Sequence, residues 1–452
     1  MNSDYLTTQK PLRALLLFAL PIIIGNLFQQ TYTMADSAIV GRFVSEEALA
    51  AVGASYSLTN IFICIAMGGG IGASVVVSRY FGARAYSSMK LAVSTALLSF
   101  LAVSIVLGGV GLGFSRGIMR LLNTPANVLD MATEYLQIYF LGLPFLFMYN
   151  VLSSMFNALG KSRIPLYFLI FSSLFNIGLD LLFVTQFQMG VSGVAWATLI
   201  AQGISAALSF AVFLRELRSL KCGRTSAFSR GELVTMTKIA LPSILQQSTV
   251  SIGMMLVQSV VNGFGSETLA GFSAGMRIES ICIVPMLGIG NALSSYTAQN
   301  MGAGKPERVP EGYRVANWMV AVCAIAIGVV VECFCGPIIS LFLGEDGTAV
   351  ALSTGQDYMA FMGWFFCLIG FKMAVDGVLR GAGDMKLFTI ANLVNLGIRV
   401  ILSVTLAPRF GVAMVWYAVP IGWAANWLIS FLQYRTGKWR RIDAVPAQRG
   451  DA

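Results

Sequence analysis

The sequence predicts an all-α polytopic membrane protein of twelve transmembrane helices, arranged as two six-helix lobes related by a pseudo-two-fold axis along the membrane normal. Three observations carry that prediction: the composition, a series of twelve apolar runs, and a repeat that divides the chain in half. Of 452 residues, 56% are hydrophobic and only 11% charged, against roughly 25% charged in a soluble protein. The apolar runs are centred near residues 24, 64, 101, 146, 175, 203, 249, 285, 327, 367, 397 and 422. Each is long enough to cross a hydrocarbon core of about 30 Å as a helix. They are too long and too uniformly apolar for barrel strands, and helices and closed barrels are the only structures that satisfy their backbone in lipid.

From the N-terminus, "MNSDYLTTQKPLR" is polar, and no small-residue cleavage site follows the first apolar run, so no removable signal peptide is expected. The first span, "LLLFALPIIIGNLFQQ", contains Pro21 and leads into "TYTMADSAIVGR", which places Asp36 near its outer end. Spans two to six follow, with "YFGA" after the second, "ALG" after the fourth, and "GVSGVAWAT" opening the sixth. The longest charged stretch, residues 214–238, then separates an N-terminal lobe (1–213) from a C-terminal lobe and tail (239–452).

The second half retraces the first. "FALPIII" at 18–24 matches "IALPSIL" at 239–245, "YFGARA" at 80–85 matches "NMGAGK" at 300–305, and "FNIGLD" at 175–180 matches "VNLGIR" at 394–399. Seven such pairs keep a separation of 218 to 223 residues. Six spans return the chain to its starting side, so the two repeats share one orientation and pair about an axis along the membrane normal. The glycine clusters "MGGGIGAS" and "GLGIGNA" lack a nucleotide loop's strand context and suit close helix approach.

The net charge of +9 orients the chain and does not signal nucleic acid. With a cytoplasmic N-terminus, 23 of the 30 Lys and Arg, including Lys221, Arg224, Arg380 and Arg449, fall on the inner side, and only Arg42, Arg116, Arg120 and Arg409 fall outside. This asymmetry places both termini in the cytoplasm of a cell-membrane protein. The seven cysteines, among them Cys222 in the linker, show no metal-binding spacing and there is no histidine, so no metal or other cofactor is expected.

Ionisable groups inside spans are costly, so they tend to line ion or substrate pathways. The within-span acids are Asp36, Asp180, Glu279, Glu332 and Asp376. At 1.5 Å per residue Asp180 lies about 24 Å along span 5, in the outer half, and Thr198 about 10 Å in from the outer surface on span 6. Asn176 and Asp180 are four apart and share a helix face. Asp36, Asn176, Asp180 and Thr198 therefore converge in depth, as two carboxylates, an amide and a hydroxyl. Such hard oxygen ligands suit H⁺ or Na⁺ and not a soft metal. The alternatives for these residues are packing and interhelical hydrogen bonding.

In the second half, Lys372 and Asp376 are spaced to pair on one face, whereas Arg277 and Glu279, two apart, each need another partner. Arg399, the repeat partner of Asp180, is a candidate for one. Arg277, Glu279, Lys372, Asp376 and Arg399 are read as a structural charge network, and Glu332 as interfacial.

The order "ALP…D…VGR", "YFGA", "ALG", "N-x-x-x-D" and "GVSGVAWAT", with "GMRIESICIVPMLGIGNALSSYTAQNMGAGKPERV" at 275–309, resembles the MATE family (multidrug and toxic compound extrusion), and its bacterial DinF-like branch in particular. The resemblance spans residues 12 to 435. It implies a secondary active transporter that exports organic cations in exchange for H⁺ or Na⁺ by alternating access. It also implies a cation-coupling site at the positions of Asp36, Asn176, Asp180 and Thr198, and a helix-bending role for Pro21, whose repeat partner is Pro242. The span-7 glutamate and the early span-10 aspartate of NorM-like members have no counterpart here. The expected partners are cationic amphiphilic small molecules and membrane lipids, with a monomeric chain. Two rival readings are a lipid-linked saccharide or peptidoglycan-precursor flippase and an intramembrane enzyme. The first would line its cavity with several basic groups, and the second lacks a visible nucleophile–base pair or metal site.

Overall fold

The computed structural model describes residues 4–122, 124–220, 226–344 and 347–442. Lys221, Cys222 and Arg224 of the linker and Arg449 of the tail lie outside the described residues. Helices account for nearly all of the described chain, with no strand among the described residues. A short α1 (Tyr5–Thr8) precedes α2 (Pro11–Phe43), α3 (Glu46–Gly82), α4 (Tyr86–Leu121), α5 (Leu129–Ala158), α6 (Arg163–Leu181) and α7 (Gly190–Ser219). The second half runs through α8 (Arg230–Asn262), α9 (Ser266–Cys282), α10 (Val284–Gly302) and α11 (Arg308–Leu343). It ends with α12 (Ala349–Gly363), α13 (Phe366–Gly381), α14 (Met385–Phe410) and α15 (Ala413–Arg435).

Among the described residues, eleven spans are long and apolar enough to cross a membrane, α9 and α10 together making one of them. The pair α12 and α13, bent by 54° at their junction, supplies the twelfth. The α9–α10 junction falls just before Pro285, whose ring removes a backbone donor and cannot continue a helix without loss. Helix starts use side-chain oxygens where the sequence offers them. Ser45 accepts from the Ala48 N–H at 3.0 Å, and Thr348 from Ala351 at 3.2 Å, each satisfying a donor that a helix start leaves open.

The chain forms two compact units, Ile24–Ile244 and Met1–Ile23 with Leu245–Ala452. The divide falls inside α2 and inside α8, each time three residues beyond a proline, Pro21 and Pro242. In the unit of residues 24–244, α5 is central and packs on α3, α4 and α7. Phe140 and Phe147 of α5 are fully buried there with Leu136 and Leu143. In the other unit, α13 is the central element, packed on α10, α11 and α15. Its approach to α10 is close enough that a Cβ on Gly377 would sit 2.4 Å from the Gly290 carbonyl oxygen.

The repeat is visible in backbone geometry. Gly304, after α10, adopts φ +69°, and its repeat counterpart Arg84, after α3, adopts φ +56°. One half thus places glycine in the left-handed region and the other tolerates a side chain there, at a cost of roughly 1–2 kcal/mol.

Candidate functional site

In the unit of residues 24–244, three helices bring the sequence-predicted polar residues together. Asp36 comes from α2, Asn176 and Asp180 from α6, and Thr198 from α7. The Asn176–Asp180 spacing puts both on one face, and both are buried, Asp180 completely. Directly beyond Asp180, α6 continues as a π turn over Leu182–Gln186, a distortion that is frequent at functional sites.

The Asp36 and Asp180 carboxyls lie within hydrogen-bonding reach of each other. One oxygen of each, Oδ1, is buried and makes no hydrogen bond. Asn176 links the group. With its amide nitrogen turned toward the carboxyl, it donates to Asp180 Oδ2 at 3.2 Å, and its oxygen accepts from the Thr198 N–H at 3.1 Å. The opposite orientation would set the amide oxygen against the Asp180 carboxyl oxygen. Thr198 Oγ1 donates to the Val194 carbonyl at 3.0 Å, a bond that leaves its lone pairs available.

Two tyrosines complete the site. The Tyr32 hydroxyl is hydrogen-bonded to Asn176 and reaches Thr198. Tyr135 of α5 is close enough to interact electrostatically with both carboxyls. Tyr32 could have been found by spacing, because it precedes Asp36 by one helical turn and so shares its face. Tyr135 carried no such signal, since it sits on a helix with no charged residue in register. Among the described residues, no Lys or Arg forms an ion pair with Asp36 or Asp180. Two ionised carboxyls facing each other without a basic partner repel, and a shared proton or a bound cation relieves that repulsion.

The other unit holds the remaining candidate residues in two groups. Lys372 and Asp376 form an ion pair, Nζ to Oδ2 3.0 Å, with both side chains buried. Ser430 donates to Asp376 Oδ1 at 2.9 Å and the Gln246 amide to Oδ2 at 3.4 Å. Lys372 also donates to Asn392 Oδ1 at 3.2 Å, which accepts from Asn426 at 3.1 Å. One turn further along α13, Arg380 is buried and donates to Asn291 at 2.8 Å and Ser294 at 3.3 Å. Arg380, counted among the inner-side charges of the sequence, has its side chain buried in the helix packing. Its four-residue step from Asp376 was the missed signal.

In the second group, Glu279 is buried and accepts a hydrogen bond from the Tyr358 hydroxyl, with Arg399 close enough for electrostatic attraction. Arg277 is exposed on the opposite side of α9 and joins neither group, because two residues along a helix turn its side chain away from that of Glu279. Glu332 is likewise exposed.

The MatE family model matches residues 21–182 and 242–405, most of each repeat. The chain is 30% identical to the "Probable multidrug resistance protein YpnP" of Bacillus subtilis (strain 168), over 98% of this chain and 99% of that one. It is 27% identical to the "Probable multidrug resistance protein YoeA" of the same organism, over 94% and 93%. Among solved structures, a MATE crystal structure in complex with MaL6 superposes with a TM-score of 0.90 at 23% identity, covering 98% of this chain and all of the other.

Proposed function

The chain belongs to the MatE family of multi-pass membrane transporters, and on that premise we propose that it exports organic cations in exchange for H⁺ or Na⁺, with Asp36 and Asp180 as the coupling pair. Membership makes it a multidrug efflux transporter that handles small molecules, and not an enzyme. The observation that carries the coupling reading is the pair of facing carboxyls, each with a buried oxygen that has no hydrogen-bond donor. A proton or Na⁺ arriving from outside satisfies those oxygens, and Asn176, Thr198 and Tyr32 supply further oxygen ligands or orient the ones present.

Coupling follows if the ion and the drug favour different states of the same helices. Pro21 supports a bend in α2, the helix that carries Asp36, because its ring leaves the Leu17 carbonyl without an intrahelical donor. Loading the carboxyls removes their repulsion and lets α2 move against α6. Their unloading toward the cytoplasm restores it. We place this cycle in a monomer of two six-span lobes, 1–213 and 239–452 joined by 214–238, with both termini cytoplasmic and the sequence on the DinF-like branch. The charged residues of the second lobe, with Arg277 outside the network, serve structure in this scheme.

Cells expressing Asp36→Asn test the assignment. The amide keeps the shape of the carboxyl but cannot titrate, so export and drug resistance are expected to be abolished while membrane protein levels stay normal. Wild-type resistance at normal expression would remove Asp36 from the coupling role.

A further inference from the structure

From the last residue of α15 the chain reads "RTGKWRR" over residues 435–441, four basic residues in seven with no acid. This stretch does not trail away from its helix. Gly437, at φ +67°, reverses the backbone, and Lys438–Arg441 form a 3₁₀ turn. Trp439 fixes that turn. Its side chain is fully buried, and its indole stacks on Tyr434 with ring centroids 5.7 Å apart and planes 7° apart. Its Nε1 donates to the Tyr434 carbonyl at 2.9 Å. Tyr434 in turn packs on Tyr313 of α11, with centroids 4.6 Å apart. A buried indole with its N–H satisfied is a strong anchor, so the exposed Lys438, Arg440 and Arg441 are held in place.

Three guanidinium groups from three elements gather at this point. Arg314 of α11, Arg435 of α15 and Arg440 of the turn are all exposed, and each lies close enough to the Tyr434 hydroxyl to act on it electrostatically. Arg440 also sits over the Trp439 ring, 5.2 Å from its centroid, a contact that positions the guanidinium without using its donors. Among the described residues none of the three forms an ion pair, although Glu311 precedes Arg314 by one turn. Like charges gathered without an acid repel one another, and an anion between them relieves that repulsion. The depth of the cluster follows from the residues beside it. Along one face of α11 the exposed side chains run Arg314, Trp318, Val322, Ile325 and Val329, and along α15 Arg435 follows Leu428 and Leu432. Charge, then indole, then aliphatic carbon is the order of a helix passing from headgroups through the interface into hydrocarbon.

We propose that Arg314, Arg435 and Arg440 form a binding site for the phosphate of an anionic phospholipid, with the Tyr434 hydroxyl as a further donor and Trp318 against the acyl chains. A guanidinium matches a phosphate with two parallel bonds, and basic pockets between span ends are the protein side of such headgroup recognition. A zwitterionic lipid carries its own cation, which three arginines repel, so a net anionic headgroup is the one that fits. Bound there, it bridges α11, α15 and the C-terminal turn. The site belongs to the unit of residues 1–23 and 245–452, and its occupancy does not depend on the coupling role of Asp36 and Asp180.

The test titrates full-length protein, in an uncharged detergent at low salt, with pyrene-labelled phosphatidylglycerol and separately with pyrene-labelled phosphatidylcholine. Binding is read as energy transfer from tryptophan to pyrene. The wild-type protein is expected to bind phosphatidylglycerol about tenfold tighter than phosphatidylcholine, or more. One base beside a headgroup supplies about fivefold, so Arg440→Gln should narrow the preference by up to that factor. The triple variant Arg314→Gln, Arg435→Gln, Arg440→Gln should abolish it. A second triple variant, Arg215→Gln, Arg218→Gln, Arg230→Gln, removes the same charge from exposed positions of α7 and α8 and should keep the preference. Equal affinity of the wild type for both lipids, a preference that survives in the first triple variant, or equal losses in the two triple variants would overturn the proposal. Displacement of the labelled lipid by millimolar inorganic phosphate would also overturn it, assigning the cluster to a soluble anion.

Discussion

At the scale of single residues, the account turns on whether Asp36 and Asp180 act as one unit. If they share one proton or ion, Asp36→Asn and Asp180→Asn should each abolish export, and the double variant should be little worse than either. Groups in one network are non-additive, whereas independent ones add. Clearly additive losses, measured as drug accumulation in cells, would assign them separate roles. The buried pair in the other unit is expected to behave differently. Removing Asp376 alone leaves the buried Lys372 without its counter-ion and should cost ~3–5 kcal/mol of stability, whereas an apolar pair of similar volume can be neutral. Protein yield and melting temperature should therefore fall in Asp376→Leu and recover in the combined Lys372→Met, Asp376→Leu variant. Recovery of protein without recovery of export would place the pair on the transport path. Sequence carried much of this site, because burying a carboxylate in a span is costly enough to be informative by itself. Tyr135 was illegible for the opposite reason: a tyrosine in an apolar helix packs well almost anywhere, and only the fold brings α5 beside α2 and α6. Arg399 was legible as a charge, but the close approach of Gly422, on another helix, to Asn395 and Arg399 was not.

Among the helices, spacing and repeat identified more than boundaries. The twelve apolar runs correspond to the eleven spans and the bent pair, since hydrocarbon thickness sets a length that composition reveals directly. The 54° bend between α12 and α13 had a weaker signal: no proline marks the junction, and the glycine that ends α12, Gly363, is one of many in the spans. The repeat also predicts where the backbone is strained. Gly304 and Arg84 occupy the same place in the two halves, both at positive φ. Gly304→Ala should destabilise the protein by about 1 kcal/mol, because alanine has no easy access to that region. In Arg84→Gly the relief of backbone strain is set against the loss of the side chain's own interactions, and the melting temperature reports which is larger. A harmless Gly304→Ala, with a destabilising Arg84→Gly, would mean that side-chain contacts outweigh backbone strain at these turns.

For the whole molecule, the charge asymmetry of the sequence is the basis of the proposed orientation, and Pro21 and Pro242 are the proposed bending points. Each lies three residues before its helix passes from one compact unit to the other, a relation that no local pattern could disclose, because it depends on which helices pack together. In the proposed scheme the carboxyl pair binds the driving ion. The most direct test of that claim is gradient-driven uptake of a fluorescent organic cation into inverted membrane vesicles, with a proton gradient and a sodium gradient imposed separately. Wild-type protein should accumulate the cation under at least one gradient, and Asp36→Asn and Asp180→Asn should accumulate it under neither, despite equal amounts of protein in the vesicles. Wild-type accumulation by both variants under the gradient that drives the native protein would contradict the account, because coupling would then run through groups other than this pair.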